Sequence, residues 1–367
     1  MIPVEDFERA GLLGDNAPPD RLELLRWVES HGHTIEHMVE GASSGNLSSV
    51  AGDRRMVPGE RLTRAEAVER CGLDPDVFDS YATAFGFVPV AGAPPGEVGY
   101  TTDEIEVFQL LGILSSMFSP DEGLSFVRVL GSSLGRLGEA VVSMFLADVE
   151  SPHIESGAGE LALARKVYEG VGLLDGLAER LDPILRRNVL QAVERSRRAS
   201  IGDERLKYRF TVGFVDLVGF TERSEQMSTT ELARFVRDFE GTAHDIAIVN
   251  GARVVKLIGD EVMFVATDSN DACRAAAALT TAFTAGDGHV VPRGGLAHGD
   301  VLMRGGDYYG SVVNLASRLV DQAVPEEVLV TGEVVRDAAE CSFEPAGRRM
   351  MKGFAEPVPT WSLVSTR

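Results

Sequence analysis

The stretch from Val254 to Ala266 constrains the fold of this chain more than any other. It reads Val-Val-Lys-Leu-Ile-Gly-Asp-Glu-Val-Met-Phe-Val-Ala, two β-rich runs on either side of a tight turn. This pattern predicts a buried β-hairpin. A plain hairpin does not need a charge inside its first strand or an acid at its tip, yet Lys256 and Asp260 occupy these positions. We therefore expect the hairpin to contribute to a functional site.

A second predicted strand supplies another acid. The β-branched and aromatic run from Arg209 to Val215 ends at Asp216. We expect the carboxylates of Asp216 and Asp260 to converge at one edge of a sheet. Close carboxylates repel each other, and the pKa of one rises sharply unless a cation lies between them. A divalent metal is the usual cation at such a place, and metals held in this way usually serve phosphate chemistry.

Length, charge and cysteine content narrow the class of protein. A chain of 367 residues is long enough for two domains that each bury a core. The formal net charge of −21 argues against a nucleic-acid surface, which needs a basic face. Three widely spaced cysteines suit a reducing compartment. The N-terminus lacks a signal-peptide profile, and no run approaches the ~18 apolar residues of a membrane span, so we expect a cytoplasmic protein.

Residues 1–190 predict an all-α domain. The helical periods cover Arg21–His37, Asp103–Phe118, Asp121–Gly135, Gly138–Glu150 and Gly159–Arg180. Thr63 and Glu66 form a capping-box signature, and Gly72 is predicted to end the helix that follows it. This half contains no metal-ligand spacing, nucleotide loop or nucleophile constellation. We expect it to be a packing or regulatory domain.

A linker and a second domain follow. A helix at Asp182–Arg198 and a polar joint at Ala199–Arg205 predict a linker over residues 191–207. Residues 208–367 then alternate strands and helices in a β-α-β-β-α-β order with additions, which is a ferredoxin-like α+β arrangement. The predicted strands are Tyr208–Val215, the hairpin, Pro292–His298 and Val301–Arg304 turning at Gly299-Asp300, Val328–Thr331, and a final pair near Ser342–Glu344 and Thr360–Val364. The predicted helices are Thr229–Val249, Asn270–Ala285 and Val312–Gln322, the last opened by a glycine-rich loop at Gly305–Gly310.

Three motifs occur in a fixed order in this second domain. They are Phe214-x-Asp216-x-x-Gly219-Phe220-Thr221, Lys256-x-x-Gly259-Asp260, and Gly306-Asp307-Tyr-Tyr-Gly310-x-x-Val313-Asn314-x-x-x-Arg318. Together they resemble the catalytic domain of the class III nucleotidyl cyclases over about residues 208–364. A helical half followed by a short helical linker also resembles the soluble mycobacterial-type adenylate cyclases, in which the N-terminal domain is regulatory.

The resemblance implies a role for each motif residue. Asp216, Leu217 and Asp260 would hold two Mg²⁺ or Mn²⁺ ions per active site, as two-metal catalysis requires. Asn314 would orient the ribose, and Arg318 would neutralise charge that develops at the α-phosphate. Taken singly, Asp260 also fits a simple turn residue, Asp216 fits a cap after its strand, and Arg318 fits a surface salt bridge.

Lys256 and Asp307 are expected to recognise the base. A lysine can donate to adenine N1 and an aspartate can accept from the 6-amino group, whereas guanine reverses both roles. ATP is therefore the expected substrate. Lys352 resembles a lysine of the family that contacts phosphate. The simpler interpretations are an edge-strand charge for Lys256 and a turn residue for Asp307.

The predicted function is an adenylate cyclase that converts ATP to cyclic AMP and pyrophosphate at a homodimer interface. One alternative is a catalytically silent nucleotide-binding signalling module, but none of the expected catalytic residues is missing. A diguanylate cyclase would need Gly-Gly-Asp/Glu-Glu-Phe at the turn, where this chain has Ile258-Gly-Asp-Glu-Val262. The helical half is predicted to regulate the enzyme. Its histidines His31, His33 and His37 are predicted to be exposed or capping residues, and a proton-sensing role, which would make pH a signal, is the alternative.

Overall fold

The computed structural model describes residues 1–14, 17–57, 59, 61–87, 99–114, 117–200, 207–284 and 290–366. These residues form two compact units, Met1–Leu185 and Arg186–Arg367. The domain ranges 1–190, 191–207 and 208–367 remain predictions of the sequence. Most of the predicted joint at Ala199–Arg205 lies outside the described residues.

The first unit is almost entirely helical. A two-stranded antiparallel sheet of β1 and β2 is the exception to the predicted all-α domain. The elements in chain order are α1 (Val4–Arg9), α2 (Arg21–Ser30), α3 (Ile35–Ser43), α4 (Val50–Met56), β1 (Arg61–Leu62), α5 (Arg64–Cys71), α6 (Pro75–Phe85), β2 (Tyr100–Thr101), α7 (Thr102–Leu114), α8 (Pro120–Phe145), a π-helical turn (Leu146–Glu150), α9 (Ser151–Glu155), α10 (Glu160–Gly172) and α11 (Leu177–Ala199), which continues into the second unit.

Glycine and capping residues explain where these helices begin and end. The single helix predicted over Arg21–His37 is wrong, because the chain turns at Gly32, whose φ of 84° does not occur in a helix. The capping box is confirmed: Thr63 Oγ1 accepts a hydrogen bond from the backbone N–H of Glu66 at 3.3 Å. The predicted helix end at Gly72 is also confirmed, since this residue is left-handed with a φ of 71°.

The middle of the first unit forms a longer helical run than the sequence suggested. The helices predicted at Asp121–Gly135 and Gly138–Glu150 are one continuous run from Pro120 to Glu155, with the π-helical turn inside it. Its most apolar 18-residue window has a mean hydropathy of 1.3 and is 6% buried. By length and composition alone this run could cross a membrane, so the expected absence of such a segment is not confirmed.

The second unit is built on one mixed sheet. Its elements are β3 (Lys207–Val218), α12 (Phe220–Ser224), α13 (Thr229–Val249), β4 (Arg253–Ile258), β5 (Glu261–Ala266), α14 (Ser269–Thr284), β6 (Val291–Arg304), β7 (Asp307–Tyr309), α15 (Ser311–Gln322), β8 (Val328–Thr331), α16 (Gly332–Asp337), β9 (Cys341–Arg349) and β10 (Val358–Thr366). The strands lie in the order β4-β5-β3-β6-β8-β10-β9, with β7 paired to β6, and β6 and β8 are parallel. Side chains alternate along β3, so that two cores form: α13 and α14 cover one face of the sheet, and α15 covers the other.

The predicted hairpin is confirmed as β4 and β5, with Gly259 left-handed at the turn. Two predictions nearby are wrong. The hairpin expected to turn at Gly299-Asp300 is one straight strand, β6, because every residue of β3 pairs with it, from Lys207 with Leu302 to Val218 with Val291. For the same reason β3 continues past Val215, and Asp216 lies within the ladder. The glycine-rich loop contains the short strand β7.

Candidate active site

The first group of site residues lies on three neighbouring strands. Asp216 of β3 is directly opposite Glu261 of β5 and Arg293 of β6. Asp260 is at the tip of the β4–β5 hairpin. Because β3 lies between β5 and β6, these side chains gather at one end of the sheet, as the sequence predicted for the two aspartates. Arg293 donates to Asp216 Oδ2 from Nη2 at 2.9 Å and from Nε at 3.1 Å.

Partial burial and the closeness of the carboxylates raise the pKa values of Asp260 and Glu261. Burial raises the pKa of Asp260, Asp216 raises it further, and Arg293 opposes the rise. The pKa of Glu261 is raised to about 7, mainly by burial and then by Asp216, Asp321 and Asp260. Within the part of the chain that the structure describes, Arg293 forms its ion pair with Asp216 alone and only lowers the pKa of Asp260 and Glu261 through its nearby charge. Three clustered carboxylates thus share one guanidinium charge, and a divalent cation would neutralise the surplus negative charge.

The donor set fits a hard cation. Carboxylate and carbonyl oxygens are the ligands that Mg²⁺ takes in proteins, commonly one or two carboxylates completed by water and substrate phosphates. Asp216 and Asp260 supply the carboxylates. Leu217 is a buried residue whose aliphatic side chain has no donor atom, so it could offer a metal only its main-chain carbonyl oxygen. In the described part of the chain, no group of three or more His, Cys, Asp or Glu side chains is arranged for a metal. Such a site would therefore depend on substrate and water oxygens.

A second group pairs two residues that are 51 positions apart. Lys256 Nζ on β4 lies 2.5 Å from Asp307 Oδ2 at the start of β7. The other carboxylate oxygen, Oδ1, accepts the backbone N–H of Tyr308 at 2.8 Å. The Lys256 and Asp307 side chains remain 40% and 26% exposed, so both are accessible to a ligand. The structure thus brings together the two residues predicted to recognise the base.

The remaining predicted residues lie on α15 and in the β9–β10 turn. Asn314 is exposed and Arg318 is half-buried, one turn apart on the same face of α15. Arg318 Nη1 lies 3.1 Å from Asp321 Oδ2, and Lys352 is exposed. Among the described residues, no hydrogen bond or ion pair joins Asn314, Arg318 or Lys352 to the metal-site aspartates. The described part of one chain therefore presents the carboxylates and the two predicted catalytic residues on α15 as separate groups.

Arg293 is the site residue that sequence reasoning missed. It stands in an apolar run, Val290-Val-Pro-Arg-Gly-Gly-Leu296, where a charge is unexpected in a central strand. This unexpected charge could have indicated that Arg293 belongs to a functional site. Its placement beside Asp216 depends on the β3–β6 register, which no local pattern specifies.

Comparison with known proteins places the chain in a family. Residues 205–365 match the adenylate and guanylate cyclase catalytic domain. An uncharacterized protein of Mycobacterium tuberculosis is 29% identical over 359 residues, which cover 98% of this chain and 94% of that protein. An adenylate cyclase of Streptomyces coelicolor is 31% identical over 287 residues, covering 78% of this chain and 74% of the relative. The pH-sensitive adenylate cyclase of M. tuberculosis is 27% identical, covering 94% and 87%.

These similarities extend beyond the catalytic domain into the helical half, since each relative covers most of the chain. They agree with the three motifs and with the residues that the sheet brings together. The chain therefore belongs to the class III nucleotidyl cyclases, and it is an enzyme of the adenylate cyclase group, a phosphorus–oxygen lyase.

Proposed function

We propose that the enzyme converts ATP to 3′,5′-cyclic AMP and pyrophosphate. The observation that carries this proposal is the Lys256–Asp307 pair, held at 2.5 Å and open to solvent. It offers one donor and one acceptor side by side. Adenine presents the complementary acceptor at N1 and donor at its 6-amino group, whereas guanine would leave polar groups unpaired on both sides.

The chemistry is an in-line attack of the ribose 3′-hydroxyl on the α-phosphate, with pyrophosphate as the leaving group. Asn314 orients the ribose, and Arg318 stabilises the charge that develops on the α-phosphate. Lys352 contacts the leaving phosphates. Two Mg²⁺ or Mn²⁺ ions at Asp216, Asp260 and the Leu217 carbonyl would supply Lewis-acid activation and charge neutralisation. Arg293 fixes the orientation of the Asp216 carboxylate.

A homodimer is the assembly that best explains the separate groups within one chain. If two chains pair about a two-fold axis, the carboxylates of one subunit face the base, ribose and phosphate contacts of the other, and two equivalent sites result. We also infer that the core is ferredoxin-like, because β3, β4, β5 and β6 lie in the order β4-β5-β3-β6 with helices after β3 and β5.

We further propose that the helical half regulates the catalytic unit and that pH is one of its signals. A relative of nearly the same length is named a pH-sensitive adenylate cyclase. The pKa of His33 is lowered, chiefly by burial and then by Arg54. The pKa of His37 is lowered by the same two causes. His33 is buried and His37 is half-buried, and with lowered pKa values both gain a proton only as the pH falls below the ordinary histidine range.

The deciding experiment offers ATP or GTP, with Mg²⁺ or Mn²⁺, to the purified full-length protein and quantifies the cyclic nucleotide formed. We expect cyclic AMP from ATP and loss of product in Asp260→Asn. Asp300→Asn is the matched control, because Asp300 is an exposed acid of β6 outside the site. Equal turnover of ATP and GTP would remove the base assignment. Nucleotide binding without any product would favour the silent signalling module.

A further inference from the structure

A cavity lies on the side of the second unit where the C-terminal half of α11 packs. Its volume is about 630 Å³, and all of its lining residues belong to the Arg186–Arg367 unit. Three arginines line it: Arg195 and Arg198 from α11, and Arg253 from the start of β4. The chain has a formal net charge of −21, so a cavity lined by three arginines differs from its overall acidic composition.

The charges of these arginines are poorly compensated. Among the described residues, no carboxylate forms a salt bridge with Arg195, Arg198 or Arg253. Burial lowers the pKa of Arg195, and the nearby charge of Arg253 lowers it further. The Nε of Arg253 is buried and has no hydrogen-bond partner. Two acids also line the cavity: Asp271 pairs with Arg274, and Glu194 is exposed and forms no salt bridge with the three arginines among the described residues.

We infer that this cavity binds a small phosphate-bearing anion between Arg195 and Arg253. The planar guanidinium group matches phosphate oxygens with two parallel hydrogen bonds, and an anion would offset the repulsion between the charges of Arg195 and Arg253. The volume accommodates inorganic phosphate or pyrophosphate.

The contacts of Arg253 connect this anion site to the Lys256–Asp307 pair. Its Nη2 donates to the carbonyl oxygen of Gly306 and to the Tyr308 hydroxyl, each at 3.3 Å, and its guanidinium lies 5.5 Å from the centre of the Tyr308 ring. The backbone N–H of Tyr308 in turn donates to Asp307. An anion that draws Arg253 toward α11 would therefore change the position of Asp307. This coupling rests on the proposed base recognition, whereas anion binding itself does not.

The binding test uses isothermal titration of the full-length protein, without divalent metal, with inorganic phosphate and with pyrophosphate. We expect Arg195→Gln and Arg253→Gln to weaken binding at least about tenfold, since each removes a charge-assisted pair of hydrogen bonds. Arg197→Gln is the matched control, because Arg197 is an exposed arginine of the same helix that does not line the cavity. Arg195→Lys should give an intermediate affinity, because it keeps the charge and loses the planar group.

The Arg318→Ala variant distinguishes anion binding in the cavity from anion binding in the active site. If the anion binds in the cavity, Arg318→Ala binds it like the wild type; loss of binding in Arg318→Ala with retention in Arg195→Gln would overturn the inference. Undetectable binding by the wild type, or equal binding by wild type and Arg195→Gln, would also overturn it. Pyrophosphate binding more tightly than phosphate would identify the reaction product as the source, and equal affinities would identify free phosphate. None of these readouts depends on which nucleotide the enzyme cyclises.

Discussion

The two units of this enzyme differ in where charged side chains converge and where apolar side chains are exposed. In the catalytic unit, charged side chains of opposite sign converge: Asp216, Glu261 and Arg293 meet across three strands. In the helical unit, one long helix leaves apolar side chains on the surface, as with Leu134, Val142 and Met144 of α8, which are each more than half exposed. The first arrangement fits the proposed chemistry on a charged substrate. The second fits the proposed regulatory role, because exposed apolar patches commonly mark contact surfaces.

The largest expected effect tests the catalytic side of this comparison. Asp216→Ala and Arg318→Ala should each reduce turnover on the order of a thousandfold or more, because the first removes a proposed metal ligand and the second the proposed transition-state charge. The controls are Glu344→Ala and Arg336→Ala, because both residues are exposed and charged and neither belongs to the proposed site. The measurement is cyclic AMP formation at saturating ATP.

Mixing the two inactive proteins then tests the homodimer. In a mixed dimer both lesions fall in one site and the other site is intact. Random pairing makes about half of the dimers mixed, each with one good site of two, so activity should recover to roughly a quarter of wild type. Absence of recovery after verified subunit exchange would place the whole site within one chain.

The next effect concerns the base. Replacing Lys256 with Glu and Asp307 with Ser should lower kcat/KM for ATP by about a hundredfold or more, the penalty for unpaired polar groups in a recognition site, and should shift the ratio of ATP to GTP turnover. Lys352→Gln is the comparison variant: a phosphate contact should affect both nucleotides equally and leave that ratio unchanged. A change of the ratio in Lys352→Gln, or none in the double variant, would contradict the assignment of Lys256 and Asp307.

The same contrast explains what could be predicted from the sequence. The hairpin, α13 and the Lys256–Asp307 pair were predictable, because each depends on short-range patterns or on a motif with its own chemistry. Strand β6 was not, because the Gly299-Asp300 doublet signals a turn locally, and only its pairing with the full length of β3 keeps it straight. Arg293 was missed for a related reason, since only the pairing register of β3 and β6 places it opposite Asp216.

The helix boundaries predicted in the helical unit were wrong for a different reason. The division predicted between Gly135 and Gly138 is absent, although glycine weakens a helix by about 1 kcal/mol relative to alanine. No atom lies within 4 Å of a side chain added at either glycine. The low helix propensity of glycine is not enough to end the helix here, and α8 continues through both positions.

A moderate effect should follow from separating the units. We expect that a chain limited to residues 186–367 differs at least several-fold in specific activity from the full-length enzyme, because a domain without chemistry of its own acts by biasing the other. The ratio of the two activities should change as the pH falls below about 6.5, because the pKa values of His33 and His37 are lowered from the ordinary histidine value. Identical activities and pH profiles would mean that the helical unit does not regulate catalysis under these conditions.

The smallest expected effect is a pH-dependent change in the stability of the helical unit. His33 is 8% exposed, and its lowered pKa means that the folded state binds its proton less readily than the unfolded state does. The stabilising contribution of neutral His33 is therefore complete above the ordinary histidine pKa of about 6.5 and is lost as the pH falls from there toward the folded-state value.

Urea unfolding of full-length protein carrying Trp361→Phe, followed by Trp27 fluorescence, reports on this unit. His33→Gln should flatten the loss of stability below about pH 6.5, whereas His31→Gln, which leaves His33 in place, should retain it. If the slope persists in His33→Gln, the proton is bound elsewhere in the helical unit, and His37 becomes the next residue to replace.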